Sequence, residues 1–229
     1  MRTLMLCLAL VTTAAHAQYT NSMTGQQFNN MWSANADYVT SRMVQNNMLQ
    51  SMMAAKTQPQ RTAPPPKAAP PPQWKFELTA TDFVPTGART IPEQLAASLP
   101  KEDRPQVVEL GRGILGTLEA QPTLRKNNLA TSIAVLLGIS VQVVAGGELT
   151  DAEGEYLVRL INDGLASDPA FKKVSAQKRT VTSDTFLITG GLIAGISANA
   201  KSSGDAAQAS LARDMAVQAL GQFGVKVKK

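Results

Sequence analysis

The sequence predicts an all-α protein, a compact multi-helix bundle preceded by a tethered amphipathic helix and a proline-rich linker. Two observations favour this fold class. Apolar residues recur at steps of three and four over most of residues 92–223, and prolines, glycines or capping residues bound these runs. The alternation typical of strands is confined to residues 74–78, for which we expect one short extended arm. Helices joined by short loops indicate a bundle.

The first 17 residues have the three parts of a secretory signal peptide. Arg2 supplies a positive charge, residues 4–11 are apolar, and Ala15-His16-Ala17 forms a cleavage site of small residues. We therefore predict an exported protein that resides in the periplasm or outside the cell. Cleavage removes Arg2, so 21 of the 22 basic residues remain against 17 acidic ones, a side-chain charge of +4.

Cleavage would also remove Cys7 and His16, the only cysteine and the only histidine. Their loss excludes a catalytic cysteine, a histidine base, a Ser-His-Asp triad and a zinc site ligated by His or Cys. We therefore expect a protein that is not an enzyme and that holds no cofactor or metal. Carboxylates alone suffice for glycoside hydrolysis, so a hydrolase of envelope polysaccharide remains an alternative.

Two segments of unusual composition precede the main domain. Residues 18–56 are rich in Met, Asn and Gln and carry one apolar helical face, whereas residues 57–73 are typical of a semi-rigid polyproline spacer. A lone helix on a tether has nothing of its own to pack on, so we predict that residues 24–56 contact a protein partner, a second copy or a membrane surface. The side chains expected at this contact are Phe28, Met31, Trp32, Met43 and Met52.

Residues 74–229 have the composition of one globular domain, and start and stop signals place its first helices. Pro92 starts a short helix through Leu99, and Pro105 lies in the first turn of the next. A third helix, without charges, spans residues 127–147. Thr150 and Glu153 form the capping box of a fourth helix, which Gly164 ends.

The later helices follow from similar signals. Asp168 and Pro169 start a short helix, and Asp205 caps a final one. Between them, residues 175–178 are predicted as a polar loop and residues 184–200 as an apolar helix. This helix and the one at residues 127–147 carry no charge between their flanking residues, so a membrane-inserting protein is a further alternative, although central helices of a soluble bundle have the same pattern.

Three motifs resemble catalytic or cofactor-binding sites, but we interpret each of them as a structural feature. Gly111, Gly113 and Gly116 match a dinucleotide-binding spacing but lie within a helical pattern, where small residues allow close helix approach. Residues 175–178 match the S-x-x-K spacing of penicillin-binding enzymes, but the companion K-T-G motif is absent. The acidic cluster at residues 151–155 is interpreted as a solvated helix start.

Basic residues cluster in two places without interleaved aromatic residues. We expect solvated surface and no nucleic-acid partner. They are Lys172, Lys173, Lys178 and Arg179, and the tail lysines Lys226, Lys228 and Lys229.

Short segments of the main domain carry a family resemblance. They include Thr81-Asp82-Phe83-Val84-Pro85, Arg125-Lys126-Asn127-Asn128-Leu129-Ala130, Leu149-Thr150-Asp151-Ala152 and Asp168-Pro169-Ala170-Phe171. Through these segments, residues 81–223 resemble a domain family of unknown function found in exported bacterial proteins. The resemblance implies an all-α domain and carries over no activity.

Polar residues beside apolar runs are the candidate binding residues of the main domain. We select Asp82, Arg89, Arg125 and Asn128, which either hold loops together or bind a ligand. The function that we expect is that of a non-enzymatic binding or scaffolding module in the cell envelope.

Overall fold

The computed structural model describes residues 73–97 and 99–227. These residues form a turn of 3-10 helix, Leu78–Thr81, seven α-helices and no strand, which confirms the all-α prediction. The helices are α1 (Ile91–Ala97), α2 (Arg104–Glu119), α3 (Leu129–Ala145), α4 (Asp151–Ala166), α5 (Pro169–Lys172), α6 (Ala176–Ser203) and α7 (Ala206–Gln222). The predicted signal peptide, the predicted amphipathic helix with its five contact residues, and all of the predicted linker except Gln73 lie outside the described residues.

Helices α3 and α6 form the centre of the bundle. Almost every side chain of α3 is buried, and α6 is buried from Thr182 to Ser197. Helix α7 packs on both of them, α2 packs on α6, α4 packs on α3, and α1 packs on α2. A helix that is apolar around its whole circumference is stable only when neighbours cover all of its faces, which explains why the two uncharged segments lie innermost.

The predicted caps of α4 and α7 are confirmed. Thr150 and Glu153 form a complete capping box on α4. Asn128 lies inside the predicted third helix but is in fact the cap of α3, where its side chain accepts a hydrogen bond from the Thr131 amide. Asp205 caps α7 by accepting hydrogen bonds from two amides. Each cap pairs amides that would otherwise lack a partner in the first turn.

Two predicted helix boundaries are wrong. Helix α4 continues through Gly164 to Ala166, because a glycine in an exposed helical position weakens a helix without ending it. Helix α6 begins at Ala176 rather than near residue 184, so residues 175–178 are not a loop. The Ser175 hydroxyl caps the Lys178 amide, and the S-x-x-K spacing is therefore a helix start.

Glycines mark the positions where helices approach most closely. A methyl group on Gly111 would lie 3.0 Å from Pro92 Cβ, which agrees with the interpretation of this glycine as a point of close helix approach, whereas nothing lies within 4 Å of such a group on Gly116. A methyl group on Gly191 would overlap Ile114 Cγ2, and one on Gly190 would lie 3.3 Å from Leu136 Cα. The central helix α6 thus contacts α2 and α3 through positions without side chains.

The extended arm predicted for residues 74–78 does not form a strand. Residues 74–77 bend across α4, and the 3-10 turn follows at once. The only bridge of extended type in the described chain joins Asp82 to Asn128. We call residues 74–90 the strap, because this segment crosses the bundle from α4 to α1 before the first α-helix begins.

Candidate functional site

Hydrogen bonds fix the start of the strap to α4. Both carboxylate oxygens of Asp163 accept hydrogen bonds from strap amides, those of Lys75 at 2.8 Å and Phe76 at 3.1 Å. Asn162, which is fully buried, donates to the Glu77 carbonyl and accepts from the Thr81 hydroxyl. A short non-helical segment has few backbone partners of its own, so these side chains satisfy its polar groups.

A three-residue cluster fixes the middle of the strap to the start of α3. Arg125 donates to both carboxylate oxygens of Asp82, with Nε···Oδ1 at 2.7 Å and Nη2···Oδ2 at 2.5 Å. Asn128 Nδ2 donates to Asp82 Oδ1 and to the Leu78 carbonyl, both at 2.8 Å. The guanidinium and the amide group both hold the pKa of Asp82 below its ordinary value of 3.8.

A second cluster fixes the end of the strap to α6 and α2. Arg89 donates to both carboxylate oxygens of Asp184, with Nε···Oδ2 at 2.9 Å and Nη2···Oδ1 at 2.6 Å. Its remaining nitrogen lies 2.7 Å from Glu119 Oε1. One guanidinium therefore joins three separate parts of the chain through two carboxylates.

Asp184 is the most deeply buried charged group of this cluster, with 2% of its side chain exposed. Burial raises the pKa of Asp184, and the hydrogen bonds from Arg89 oppose that rise. The same pair raises the pKa of Arg89, so the guanidinium stays charged. Because the charge on Asp184 is paired on both oxygens, this carboxylate is not available as a general base.

A narrow crevice lies beside the two clusters. Its walls include Arg89, Glu119, Arg125 and Asp184, and the hydroxyls of Ser132 and Ser183 share a hydrogen bond of 2.6 Å. The cavity volume is about 20 Å³, which is room for a single water molecule. Glu119 and Asp184 both face the crevice, but a sugar ring does not fit between them.

An open groove lies on the other side of Arg89, between α1 and α2. It has a volume of about 500 Å³, and its floor is formed by Pro92, Leu115 and Gly116. The charged groups on its rim pair with each other, since Arg112 contacts Glu93 at 2.5 Å and Arg89 contacts Glu119. The groove therefore presents little net charge to a ligand.

The four candidate residues lie in the two strap clusters. The structure brings Asp82, Arg125 and Asn128 into one cluster and places Arg89 in the other. Their side chains fix the strap, and Asn128 also caps α3 by accepting from the Thr131 amide. The sequence did not identify Glu119, Asp163 and Asp184 as the carboxylates that bind the strap. Only Asp184 had a recognisable signal, because a lone carboxylate at the start of a long apolar run is expected to be buried and paired.

The prediction that Arg179 is a solvated surface residue is wrong, because its side chain packs on Phe171. Its guanidinium carbon lies 4.2 Å from the centre of the Phe171 ring, and Nη2 donates to the Phe171 carbonyl. Arg179 therefore packs the short helix α5 onto the first turn of α6. Lys172, Lys173 and Lys178 are exposed, as expected.

A model of a family of unknown function, DUF6683, matches residues 1–229. The chain belongs to this family. No curated protein and no solved structure matches the chain. Membership of DUF6683 agrees with the resemblance drawn from the sequence in that both point to a family of unknown function.

The described residues contain no group of three or more His, Cys, Asp or Glu side chains placed to hold a metal ion. One described helix, α6, is long and apolar enough to cross a membrane, but 83% of its apolar window is buried inside the bundle. Helix α3 is a shorter apolar helix.

Proposed function

We propose that this member of DUF6683 is a non-enzymatic, exported binding or scaffolding module of the cell envelope, which contacts a protein partner or a second copy through residues 24–56. The observation that carries the proposal is that the strap is fixed to the bundle along its length, from Asp163 to Asp184. Residues 75 and 76, which follow the proline-rich segment in the sequence, are therefore anchored to α4.

The chemistry of the described side chains supports a binding role over catalysis. Residues 73–227 contain no histidine and no cysteine, and the carboxylates of the two clusters are held by arginines. The hydroxyls of Ser132 and Ser183 hydrogen-bond to each other in a crevice with room for one water molecule. A carboxylate hydrolase of polysaccharide needs two free carboxylates about 5–9 Å apart with a sugar between them, an arrangement that the crevice does not offer.

The packing of α6 argues against insertion into a membrane. A methyl group would lie 3.3 Å from Leu136 Cα at Gly190 and would overlap Ile114 at Gly191, so α6 packs closely on α3 and α2. Asp184, in the first half of α6, is paired with Arg89. Insertion would separate these contacts and expose a charge to lipid, which is costly.

Deletion of residues 18–56 tests the proposal. We expect the deletion to abolish partner capture and self-association, measured by cross-linking in expressing cells and by sedimentation velocity, while the helical circular dichroism of the main domain is retained. Capture that persists unchanged would contradict the role of residues 24–56.

A matched pair of double variants tests the apolar face. Met31→Gln with Trp32→Gln changes the predicted face, whereas Asn30→Gln with Ser41→Gln changes the opposite side of the predicted helix. We expect the first pair to weaken association at least tenfold and the second to leave it unchanged. Equal losses in both would mean that the predicted face does not make the contact.

A further inference from the structure

Hydrogen bonds and a ring contact give the start of the strap a direction along α4. The amides of Lys75 and Phe76 donate to Asp163, in the last turn of α4. The centre of the Trp74 ring lies 5.3 Å from the centre of the Tyr156 ring. Tyr156 lies seven residues before Asp163, about 10 Å along the helix axis. Traced back from Phe76 to Trp74, the contacts of the chain with α4 therefore move towards the start of that helix.

The face of α4 that meets the strap continues beyond this ring contact. Steps of three and four residues place a set of four side chains on one side of the helix. They are Asp163, Arg159, Tyr156 and Ala152. Ala152, one turn before Tyr156, is exposed, and so is the neighbouring Glu155. Beyond the aromatic pair, the next position on this face is therefore an exposed alanine with a small side chain.

Aromatic side chains are concentrated at this end of the strap. Residues 73–227 contain seven aromatic residues, and three of them, Trp74, Phe76 and Tyr156, belong to the start of the strap or to the face of α4 that it contacts. The planes of the Trp74 and Tyr156 rings are inclined by 63° and do not stack, and both side chains are partly exposed. Accessible aromatic rings are the surface on which polyproline-binding domains hold proline-rich segments.

The chain that precedes Trp74 carries prolines at the matching distance. Residues 70–72 are consecutive prolines, which favour a polyproline II helix and lose little backbone entropy on binding. Residue 70 lies five positions before Lys75, about 15 Å along such a helix. Ala152 lies eleven positions before Asp163, about 16 Å along α4. A polyproline run that continues in the direction of the strap therefore lies level with the first two turns of α4.

The charges of the two segments are complementary. Residues 57–73 contain two basic residues and no acidic one, whereas residues 148–163 contain five acidic residues and one basic residue, a net charge of −4 from their own side chains. The hydrogen bonds that Asp163 accepts from strap amides leave its charge in place. This part of the chain therefore attracts a basic segment.

We infer that the proline-rich segment of the same chain docks on α4, with residues 70–72 packed on the Tyr156 ring and over Ala152, and with Lys67 beside the acidic start of the helix. The segment of the same chain is favoured over that of a second copy, because Trp74 already holds its end on this face and docking within one chain has a high effective concentration.

Docking would give the tether a fixed course. The prolines would carry the chain along α4 to its start, so residues 18–56 would leave the bundle at that end rather than from a free linker. The inference does not depend on what residues 24–56 contact, and it can fail or hold independently of that contact.

Disulfide formation tests the docked position in the full-length chain. Cys7→Ser removes the only natural cysteine. We expect Ala69→Cys with Ala152→Cys to form a disulfide within one chain, at a yield on the order of tenfold above that of Ala69→Cys with Ala209→Cys. Position 209 is exposed on α7, which packs on α3 and α6. Equal yields would overturn the inference, and a disulfide-linked dimer specific to the first pair would assign the docked segment to a second copy.

Two proline triplets provide a matched pair of variants. Fluorescence of Trp74 is measured with Trp32→Phe, which leaves Trp74 as the only tryptophan. Changing the prolines of residues 70–72 to Ser should shift the emission to longer wavelength and increase its quenching by acrylamide, because the aromatic pair loses its cover. Changing the prolines of residues 64–66 to Ser should alter neither, because they lie beyond the start of α4.

Urea separates docking from a local effect of the neighbouring prolines. In the unfolded protein the two triplet variants should have the same emission and the same quenching. A difference that persists in urea, or equal values for the two variants in the folded protein, would contradict the docked position.

The basic residues of the segment provide a second matched pair. Lys67→Glu should lower the yield of the disulfide between positions 69 and 152, because it places a like charge beside the acidic start of α4. Arg61→Glu makes the same change in net charge six residues earlier and should leave the yield near that of the parent pair. Equal losses would mean that net charge, and not the position of Lys67, sets the yield. Circular dichroism of each variant checks that the fold is intact.

Discussion

Arg89 and Asp184 lie 95 positions apart in the chain, yet both carboxylate oxygens of Asp184 accept hydrogen bonds from the Arg89 guanidinium. The pair closes the strap onto the central helix α6. Since Asp184 is almost fully buried, its charge is tolerated only because the arginine lies beside it.

Arg89→Met tests the importance of this pair. We expect a loss of about 3 kcal/mol in the free energy of unfolding, because the substitution leaves a buried carboxylate without its partner. Urea unfolding followed by circular dichroism measures the loss. Arg112→Met is the control, since it breaks the exposed pair with Glu93 and should cost less than about 1 kcal/mol.

A double variant separates the buried charge from other effects of Arg89→Met. Adding Asp184→Asn removes the unpaired charge, so the double variant should be more stable than Arg89→Met alone. If the second change brings no recovery, the cost of Arg89→Met lies in lost packing of the strap rather than in the carboxylate.

Asp82 should make the stability of the protein depend on pH. Its pKa is below 3.8 in the folded state, so its contribution is fully present above the unfolded pKa and is lost as the pH falls through the folded pKa. We expect Asp82→Asn to be about 1 kcal/mol less stable than the parent at pH 7, with the difference disappearing towards about pH 2.

The partner residue supplies the control for this pH dependence. Arg125→Gln removes the main cause of the lowered pKa, so the effect of Asp82→Asn should be smaller in that background at neutral pH. Equal effects in both backgrounds would mean that Arg125 does not stabilise the carboxylate.

Gly191→Ala should destabilise the bundle. The added methyl group would overlap Ile114 on α2, and overpacking of a core costs about 1–3 kcal/mol. Gly164→Ala is the matched control, because nothing lies near that position in α4 and alanine should stabilise the helix by about 0.5–1 kcal/mol. Thermal and urea unfolding compare the two; a stable Gly191→Ala would show that α2 and α6 can move apart without cost.

Thr189→Val should stabilise the protein. The hydroxyl of Thr189 is fully buried and has no hydrogen-bond partner, and replacing it with a methyl group removes an unsatisfied polar atom, a gain of about 1 kcal/mol. Thr185→Val is the control, since the Thr185 hydroxyl donates to the Val181 carbonyl at 2.9 Å. A loss of stability in Thr189→Val that equals the control would mean that the hydroxyl is hydrogen-bonded in solution.

The positions of the helices could be predicted well where the signal is local. Asp205 caps a helix that begins at the next residue, and Thr150 and Glu153 form the predicted capping box. The errors at Gly164 and at the start of α6 arose because a glycine or a polar turn weakens a helix but does not decide its length when neighbouring helices pack on both sides of that point.

In the candidate site, the sequence identified some of the residues but not their partners. The sequence singled out Asp82, Arg89, Arg125 and Asn128 as polar residues beside apolar runs, and left open whether they hold loops or bind a ligand. It gave no indication that Arg89 pairs with Asp184 and Glu119, because a hydrogen bond between distant residues leaves no periodic pattern in the chain.

By itself, the sequence determined the fold class and the caps of α4, α5 and α7, because capping and amphipathic spacing act between residues that are close along the chain. It left open whether the two uncharged helices are buried in a bundle or inserted in a membrane. The tertiary structure alone decided the course of the strap and the two arginine pairings that hold it, Arg125 with Asp82 and Arg89 with Asp184 and Glu119. Those relationships depend on which helix faces meet in space, and that is fixed only when the whole core packs together.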